Sequence, residues 1–404
     1  MKKISYFAFA LTAIAGAASA QTSVTVYGLL DASIYKSTNT AGASQLQLAS
    51  GMMEGSRWGL RGNEDLGGGM RALFTLESRL EVDTGAGGNR PISGNALPAR
   101  LTNGLSAGQL TAIAPVLAAL GPQQAVNPTT NLFDRQAFLG LVTPFGGFLA
   151  GRQYTPAFGT LAKYDINGTQ GPATPGGLGM LLYQPVEIRR NNAFQYVIQQ
   201  SGISASLMHA FGEAKTATTP GSSGSLTGLN FSYDAGPLSA GVGYNAAKDG
   251  AGKSSLRTTV VGGSYNFGVA KVSAAFTGIK DDNPALATTI AALSAPAAAL
   301  LKPNLIQDAN LIHLGVGFDV GTGNMKVSFN RLNDKRAANA DSTSYGATYT
   351  YPLSKRTNLN LALARVTNKG LGQVALGGNG FSGGITSAAG VDSTSIGFGI
   401  RHSF

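Results

Sequence analysis

Apolar and polar residues alternate with a period of two through almost all of the chain beyond its first twenty residues. In residues 69–83 the even positions are mostly apolar and the odd positions mostly polar, and residues 395–404 repeat the pattern. Successive side chains of a β-strand point to opposite faces, so this spacing predicts strands with one apolar and one polar face. It predicts about sixteen strands, beginning with 23–36 and 52–63 and ending with 391–404.

The connections between the predicted strands alternate between long and short. The long ones take the odd places in the order and include 37–51, 84–131, 154–189 and 281–307. The short ones take the even places, and many carry Gly, Asn or Asp, which favour turns. This order places every long loop at one end of the structure and every tight turn at the other, as in transmembrane β-barrels.

The polar face of these strands indicates what the barrel encloses. It carries Arg, Glu, Lys, Ser, Thr and Asn, which pack poorly in a core but suit the wall of a water-filled lumen. A barrel of about sixteen strands is wide enough to hold an aqueous channel, with apolar side chains facing lipid. The sequence therefore predicts an all-β fold, a 16-stranded antiparallel transmembrane barrel that closes so that no strand edge meets lipid.

Cysteine and histidine are scarce. The 404 residues include no Cys and three His, and only 12% of them are charged. Without Cys the chain can form no disulfide, thiolate metal site or Cys nucleophile, and three His leave little material for a metal cluster. We therefore expect no metal, no cofactor and no enzymatic activity, although a single His would suffice for some barrel enzymes.

Basic residues outnumber acidic ones by 30 to 20, which gives a formal net charge of +10. A basic chain can attract nucleic acid, an anionic surface or small anions. Nucleic-acid binding is indicated by clustered Lys and Arg with interleaved aromatic residues, and the sequence contains no such run. We therefore expect no nucleic-acid partner, and a soluble nucleic-acid binder is the alternative to a membrane protein.

The first twenty residues have the pattern of a secretory signal peptide. Lys2 and Lys3 are followed by an apolar stretch at 4–16 and by Ala-Ser-Ala at 18–20, which matches an A-x-A cleavage site. The apolar stretch is too short for a membrane-spanning helix. We therefore expect a cleaved signal peptide at 1–20 and a single barrel domain at 21–404, with an uncleaved N-terminal anchor as the alternative.

Six short motifs, taken in their order and spacing, resemble the general porins of Gram-negative outer membranes, above all the basic, anion-preferring branch. They are VTVYG at 24–28, GSRWGLRGNEDLG at 55–67, RQAFLGL at 135–141, GRQY at 151–154, RRNN at 189–192 and a terminal Phe404. The resemblance implies an outer-membrane channel for passive diffusion of small hydrophilic solutes. It also implies a homotrimer of 16-stranded barrels with long extracellular loops, short periplasmic turns and the third loop folded into each lumen.

In porins of this kind an arginine ladder on the barrel wall faces the folded third loop. The matching positions here are Arg57, Arg135 and Arg190. A guanidinium group stays charged and binds carboxylate or phosphate through paired donors, and a ring of Arg suits an anion pore. Strand phase adds further basic residues to the expected lumen wall: Arg152, Arg189, Arg61, Arg71, Arg79, Lys271 and Lys326.

These basic residues could instead pair with acids on the lumen wall. We favour pairing for Arg71 and Arg79, because Glu77, Glu81 and Asp83 follow on the same face of one predicted strand. For Arg57, Arg135 and Arg190 we favour the filter, since few acids lie near them in the sequence.

The third loop carries little negative charge. Cation-preferring relatives place an acid in a Pro-acid-aromatic-Gly-Gly turn of this loop, whereas residues 174–179 read TPGGLG here. Across 154–188 the charged residues are Lys163, Asp165 and Glu187. We therefore predict anion preference, with small anionic and neutral solutes as cargo. Three tyrosines are candidate hydrogen-bonding or narrowing groups in the loop: Tyr154, Tyr164 and Tyr183.

Other segments point to assembly partners. Apolar residues fall on both faces between residues 137 and 149, which suggests strands at a trimer contact or a misjudged register. The terminal Phe404 resembles the signal that the outer-membrane assembly machinery recognises, and we expect lipid and lipopolysaccharide around the barrel. An apolar segment at 105–120 predicts a short helix that latches onto a neighbouring subunit or packs on its own barrel.

Two further functions fit parts of the pattern. An outer-membrane adhesin or receptor would act through the long loops and would have a closed lumen. An outer-membrane hydrolase would need a Ser-His pair, and His313 is the one histidine whose strand phase places it on the polar face. No partner for His313 is evident from the sequence.

Overall fold

The computed structural model describes residues 23–40, 43–88, 91, 93–123, 127, 131–169, 171–174, 187–212, 220–377 and 384–404. The predicted signal peptide at 1–20, Tyr183 and residues 175–179 of the third loop lie outside the described residues.

Within these residues the chain forms seventeen strands in one antiparallel sheet. The strands pair with their neighbours in chain order, except that the second and third both pair with the first, and the last also pairs with the first, so the sheet closes into a barrel. The strands are β1 (Ser23–Thr40), β2 (Ala43–Ser50), β3 (Arg57–Gly67), β4 (Met70–Arg79), β5 (Gln136–Thr143), β6 (Gly146–Tyr154), β7 (Arg189–Gln200), β8 (Ile203–Ala210), β9 (Leu226–Ala235), β10 (Leu238–Lys248), β11 (Ser254–Asn266), β12 (Ala270–Asp281), β13 (Gln307–Val320), β14 (Gly323–Asp334), β15 (Ser342–Pro352), β16 (Thr357–Asn368) and β17 (Ser393–Ser403).

Two of these segments form one barrel strand. Residues 32–40 of β1, at the end of the barrel that carries the long loops, pair with β2, and residues 23–29, at the turn end, pair with β3. The segments β2 and β3 therefore lie end to end along the same edge of β1. The barrel therefore has sixteen strands, as predicted. The expected loop at 37–51 is wrong, because residues 37–40 and 43–50 extend a hairpin in which Leu46 and Leu48 face outward.

The break between β2 and β3 replaces the first part of the strand predicted at 52–63. Residues 51–56 leave the sheet and are buried. The carboxylate of Asp31 on β1 holds this segment, since its Oδ2 accepts the backbone N–H groups of Met53 (3.0 Å) and Glu54 (2.9 Å). Gly51 begins the segment with φ +72°, a conformation that residues other than Gly rarely adopt.

Polarity is arranged as expected for a membrane barrel. Apolar side chains point outward, as in Val24 and Ile34, which are 63% and 61% exposed. Polar side chains such as Ser33, Asn245 and Asn330 point inward and are buried by the lumen's contents. Since the strands pair all round, lipid meets apolar side chains along the wall rather than unpaired backbone groups.

In the part of the chain that the structure describes, four α-helices lie in the long connections. They are α1 (Ala107–Leu120) between β4 and β5, α2 (Pro156–Tyr164) between β6 and β7, and α3 (Ala285–Leu293) and α4 (Ala295–Leu305) between β12 and β13. The helix predicted within 105–120 is confirmed as α1, which starts at Ser106 with a capping box to Gln109. Among the described helices, none has the length and hydropathy needed to cross a bilayer.

Helix α2 brings the third loop into the lumen. Its buried residues Leu161 and Tyr164 pack against Val260 of β11 and Ala275 of β12, both of which face inward. Glycines in the wall allow this close approach, because a methyl group at Gly243 would collide with Thr160 and one at Gly262 with Tyr164. The third loop therefore folds into the barrel, as expected.

Candidate functional site

Basic residues gather at the ends of strands β3 to β7 that adjoin the long loops. Arg57 is the first residue of β3, next to the break at 51–56, and Arg135 directly precedes β5. Arg57 lies opposite Arg79 in the β3–β4 register, and Glu77 lies two residues away on the same inward face. The fold thus joins residues that are far apart in sequence.

Glu77 lies between two of the predicted filter arginines. Its Oε1 accepts a hydrogen bond from Arg135 Nε at 2.7 Å, and its Oε2 is 3.5 Å from Arg57 Nε. The hydroxyl of Tyr27 donates to Glu77 Oε2 at 3.1 Å. The carboxylate is buried and therefore fixes the positions of both guanidinium groups.

Glu54 provides a second carboxylate. It forms an ion pair with Arg57, and its Oε2 is 3.0 Å from Nη1 of Arg401 on β17. Sequence reasoning missed both Glu54 and Arg401. The one signal for Glu54 was the loss of alternation between Gly51 and Gly55, whereas Arg401 joins the site only because β17 closes against β1.

Tyr154 at the end of β6 connects Arg135 to one further arginine. Its hydroxyl oxygen accepts hydrogen bonds from Arg135 Nη2 (3.2 Å) and Arg189 Nη2 (2.9 Å). The guanidinium carbon of Arg189 lies 4.5 Å from the centre of the tyrosine ring, a cation–π distance, and the ring stacks on Phe158 of α2. Tyr154 therefore links the arginines of the wall to the third loop.

Arg189, not Arg190, joins this cluster. Arg190 Nε lies 2.6 Å from Glu187 Oε2 instead. The β6–β7 pairing shifts register between Gly151 and Gln153, and Asn192 has φ +54°. Irregularities of this kind re-aim neighbouring side chains, which explains why sequence matching chose the adjacent arginine.

The expectation that few acids lie near the filter arginines is wrong. Arg57, Arg135 and Arg190 each contact a carboxylate, supplied by Glu54, Glu77 and Glu187. Glu77 comes from the neighbouring strand and is 58 residues from Arg135, so local sequence could not show the contact. Burial raises the pKa of Glu187, and Arg190 opposes this change.

The remaining predicted basic residues separate into three groups. Arg79 pairs with Glu81 at 2.9 Å, as expected, and Arg71 lies opposite Asp65 in the β3–β4 register. Arg61 lies 5.1 Å over the ring of Tyr27, and Arg152 donates to the carbonyl of Asp134 and to Asn191. Lys271 and Lys326 flank Gly317 on the inward face of the opposite wall.

Lys163 and Tyr164 attach the third loop to β9 and β10, whereas Asp165 orders the loop's own backbone. Lys163 Nζ donates to Ser232 (2.8 Å) and to Asp234 (3.0 Å), and the hydroxyl of Tyr164 lies 3.2 Å from Ser239 Oγ. The carboxylate of Asp165 accepts the backbone N–H groups of Asn167 and Thr169. Burial raises the pKa of Asp165 above its usual range.

His313 is an anchor for this loop. Its Nε2 accepts the backbone N–H of Ile166 at 3.0 Å, and its Nδ1 lies 2.7 Å from Asn330 Oδ1. Asp165 Oδ1 lies 3.6 Å from Nε2. Since Nε2 is an acceptor, Nδ1 carries the proton and donates to Asn330. These contacts explain why a histidine lies on the inward face at this position: it anchors the third loop, and no hydrolytic role is needed to account for it.

Comparisons with known proteins agree with this architecture. A profile described as Gram-negative porin matches residues 8–371. Outer membrane porin protein 32 of Delftia acidovorans is 30% identical to the chain over 416 residues, and an outer membrane porin protein of Bordetella pertussis is 28% identical over 442 residues. Both alignments cover 100% of this chain and 100% of the relative.

Solved structures share the fold. The anion-selective porin from Comamonas acidovorans has a TM-score of 0.71 at 28% identity, covering 95% of this chain and 100% of its own. The trimer form of OmpT from Vibrio cholerae has a TM-score of 0.60 at 16% identity, with 95% and 99% covered, which supports the fold alone. Porins are channels rather than enzymes. The chain therefore belongs to the Gram-negative porin family and is a porin channel of the outer membrane.

Proposed function

We propose that this porin prefers anions and that the cluster around Glu77 is its charge filter. Four guanidinium groups belong to the cluster, those of Arg57, Arg135, Arg189 and Arg401. They outnumber the carboxylates around them, Glu54, Glu77 and, behind Glu54, Asp31. This excess of fixed positive charge at one level of the lumen carries the proposal.

The third loop does not offset that charge in its described part. Asp165 is buried and binds backbone N–H groups, and Glu187 is paired with Arg190. The solved relative described as an anion-selective porin, at 28% identity, supports the same preference. Arg190, Arg152, Arg61, Lys271 and Lys326 would then add positive potential along the path rather than form the filter itself.

The carboxylates of the cluster serve conduction as well as structure. Glu77 and Glu54 hold the arginines in fixed positions through charge-assisted hydrogen bonds. They also lower the net positive charge of the filter. An anion path conducts only if binding is favourable enough to attract the ion and weak enough to release it. We infer that the acids set this balance.

The reversal potential in a KCl gradient across planar bilayers tests the proposal. Arg135→Gln removes one charge and the hydrogen bonds to Glu77 and Tyr154, so the potential should move toward cations. Arg365→Gln is the matched control, because this arginine is exposed on the outward face near the loop end of β16, where it pairs with Asp392 rather than with a residue of the cluster. Cation preference of the unmodified channel, or equal shifts in both variants, would contradict the charge filter.

The expected assembly partners are further copies of the chain and the outer-membrane assembly machinery. We infer a homotrimer, exported through a cleaved signal peptide, from the family's architecture. Phe404 exchanges backbone hydrogen bonds with Gly28 at 3.1 Å and packs its ring over that glycine, so the last residue closes the barrel seam. This position supports recognition of Phe404 by the assembly machinery before the seam closes.

Lipopolysaccharide is the lipid that fits the loop end of the outward face. Exposed basic side chains stand there within the last few residues of five strands: Lys36, Lys248, Lys280, Arg331 and Arg365. Phosphate groups of an anionic lipid bind such side chains through charge-assisted hydrogen bonds. Replacing the five with Gln should lower the amount of lipid phosphate that copurifies with the porin.

A further inference from the structure

Two long loops from opposite sides of the barrel meet above its mouth. The β4–β5 loop leaves between the third and fourth barrel strands, and the β12–β13 loop between the eleventh and twelfth. Eight of sixteen strands separate them, so they start at opposite walls, about 30 Å apart for this strand number and tilt. Helix α1, with 14 residues, is about 21 Å long and can reach across much of that distance.

The two loops share an apolar core. Leu101, Ile113 and Leu120 of the first loop pack with residues of α3 and α4 in the second. Ile290 of α3 and Leu301 of α4 have no exposed surface. We name residues 99–123 and 285–305 together the roof. Asn304 fastens its two halves, because its Nδ2 donates to the carbonyls of Leu101 (3.0 Å) and Asn103 (2.9 Å).

The β16–β17 connection and the end of β14 also hold the roof in place. The backbone N–H of Ala99 donates to Gln373 Oε1 at 2.6 Å, in the β16–β17 connection. In the same region, the N–H of Ile385 donates to Ser93 Oγ at 3.2 Å. Arg100, which is buried, lies 3.8 Å from Asp334 at the end of β14. The roof is thus supported from two opposite walls and from a third side.

The composition of the roof differs from that of the charge filter below it. Its two segments contain one Arg, one Lys and no Asp or Glu: the charged residues are Arg100 and Lys302. Most of the remaining residues are Ala, Leu, Gly or small polar residues. Such a structure can obstruct a solute through its volume, but it offers little charge with which to distinguish cations from anions.

We propose that the roof is a size filter, which limits how large a solute can be before it reaches the arginine cluster. Solutes pass beside the roof, and those too large for the openings at its edges stop above the vestibule. The size limit and the charge preference of the channel then reside in separate parts of the molecule, and each can change without the other.

Liposome swelling with a graded series of uncharged sugars tests the size filter. Ile290→Asp buries a carboxylate in the roof core, so the two loops should separate. Rates for monosaccharides should stay unchanged, whereas rates for tri- and tetrasaccharides should rise several-fold. Leu293→Asp is the matched control, because Leu293 lies in the same helix but is 61% exposed. Unchanged rates for the large sugars in Ile290→Asp would overturn the proposal.

A second variant covers the case in which Ile290→Asp does not assemble. Replacing residues 285–305 with a short Gly-Ser linker removes half of the roof without charging a core, and it should also accelerate the large sugars. The reversal potential of either variant should equal that of the unmodified channel, and a change in it would overturn the separation of size from charge. Arg135→Gln should give the opposite result, a changed potential with an unchanged sugar series.

Disulfide formation tests whether the loops meet in the assembled protein. The chain has no native Cys, so Asn103→Cys combined with Asn304→Cys introduces the one possible pair. Oxidation should produce an intrachain disulfide, seen as faster electrophoretic migration of the heat-denatured, unreduced chain. Absence of this bond under oxidation would contradict the roof, since the Asn304 side chain contacts the backbone of Asn103.

Discussion

Arg135 Nε donates a 2.7 Å hydrogen bond to Glu77 Oε1, although 58 residues separate the two in sequence. Glu77 lies at the upper part of β4, and Arg135 directly precedes β5, its neighbour in the barrel. The β4–β5 loop between them forms half of the roof. The pair therefore joins the two ends of the longest connection in the chain and fixes one guanidinium of the proposed charge filter.

Glu77→Gln should increase the anion preference. The substitution raises the formal charge of the cluster by one and keeps an oxygen that can accept from Arg135. Arg57 and Arg135 lose a shared buried counter-ion, so the variant should also unfold at lower temperature, because breaking a buried ion pair costs about 3–5 kcal/mol. Reversal potentials and thermal unfolding in detergent measure the two effects.

The control for Glu77→Gln is Glu64→Gln, which removes the same charge from an exposed position near the turn end of β3. It should change neither the potential nor the unfolding temperature. A shift of Glu77→Gln toward cations would mean that Glu77 orders the arginines more than it offsets their charge.

Tyr154→Phe and Tyr154→Ala should weaken the anion preference by different amounts. Phe keeps the ring beneath Arg189 and the stacking on Phe158 but removes the acceptor for Arg135 and Arg189. Ala removes all of these contacts, and a cation–π contact alone stabilises by about 0.5–2 kcal/mol. The reversal potential should therefore follow the order wild type, Phe, Ala. Tyr265→Phe, on the outward face, should have no effect.

The alternation of side chains was sufficient to predict the barrel, because lipid outside and water inside impose opposite polarity on successive residues of every strand. It was not enough to identify β2, because residues 43–50 fall within the loop predicted at 37–51 although they form a strand paired with β1. The residue pattern also does not show the break at 51–56, because the conformation of this segment depends on the carboxylate of Asp31 on another strand.

The sequence predicts which residue types form the site better than it predicts which of these residues contact each other. Arg57 and Arg135 were identified by motif, but the Arg401–Glu54 ion pair joins residues 347 apart and forms only when the barrel closes. The choice between Arg189 and Arg190 depends on a register shift that no residue pattern reports. The roof core likewise joins two loops whose sequences indicate helices but not their partner.

His313→Ala should loosen the third loop. Ile166 would keep a buried N–H without its acceptor, and Asn330 would lose the imidazole partner. An unsatisfied buried donor costs about 1–3 kcal/mol, so the variant should unfold at lower temperature and show more frequent current fluctuations in single-channel recordings. His209→Ala is the matched control, because His209 is exposed and its described contacts, a hydrogen bond with Thr227 and an edge contact with the ring of Phe211, do not involve the third loop. Equal current noise in both variants would contradict the anchor.

Acidification should strengthen the anion preference through Glu187. Burial raises the pKa of this carboxyl, so Glu187 binds a proton at a higher pH than an ordinary Glu does. As the pH falls through that value, the partner of Arg190 becomes neutral while Arg190 keeps its charge. The lumen therefore gains net positive charge, and the reversal potential should move further toward anions. Glu187→Gln should show the stronger preference at neutral pH and lose this step of the pH dependence. A pH titration of the reversal potential, recorded for both proteins in the same KCl gradient, measures the difference, and identical titration curves would assign the step to another carboxyl.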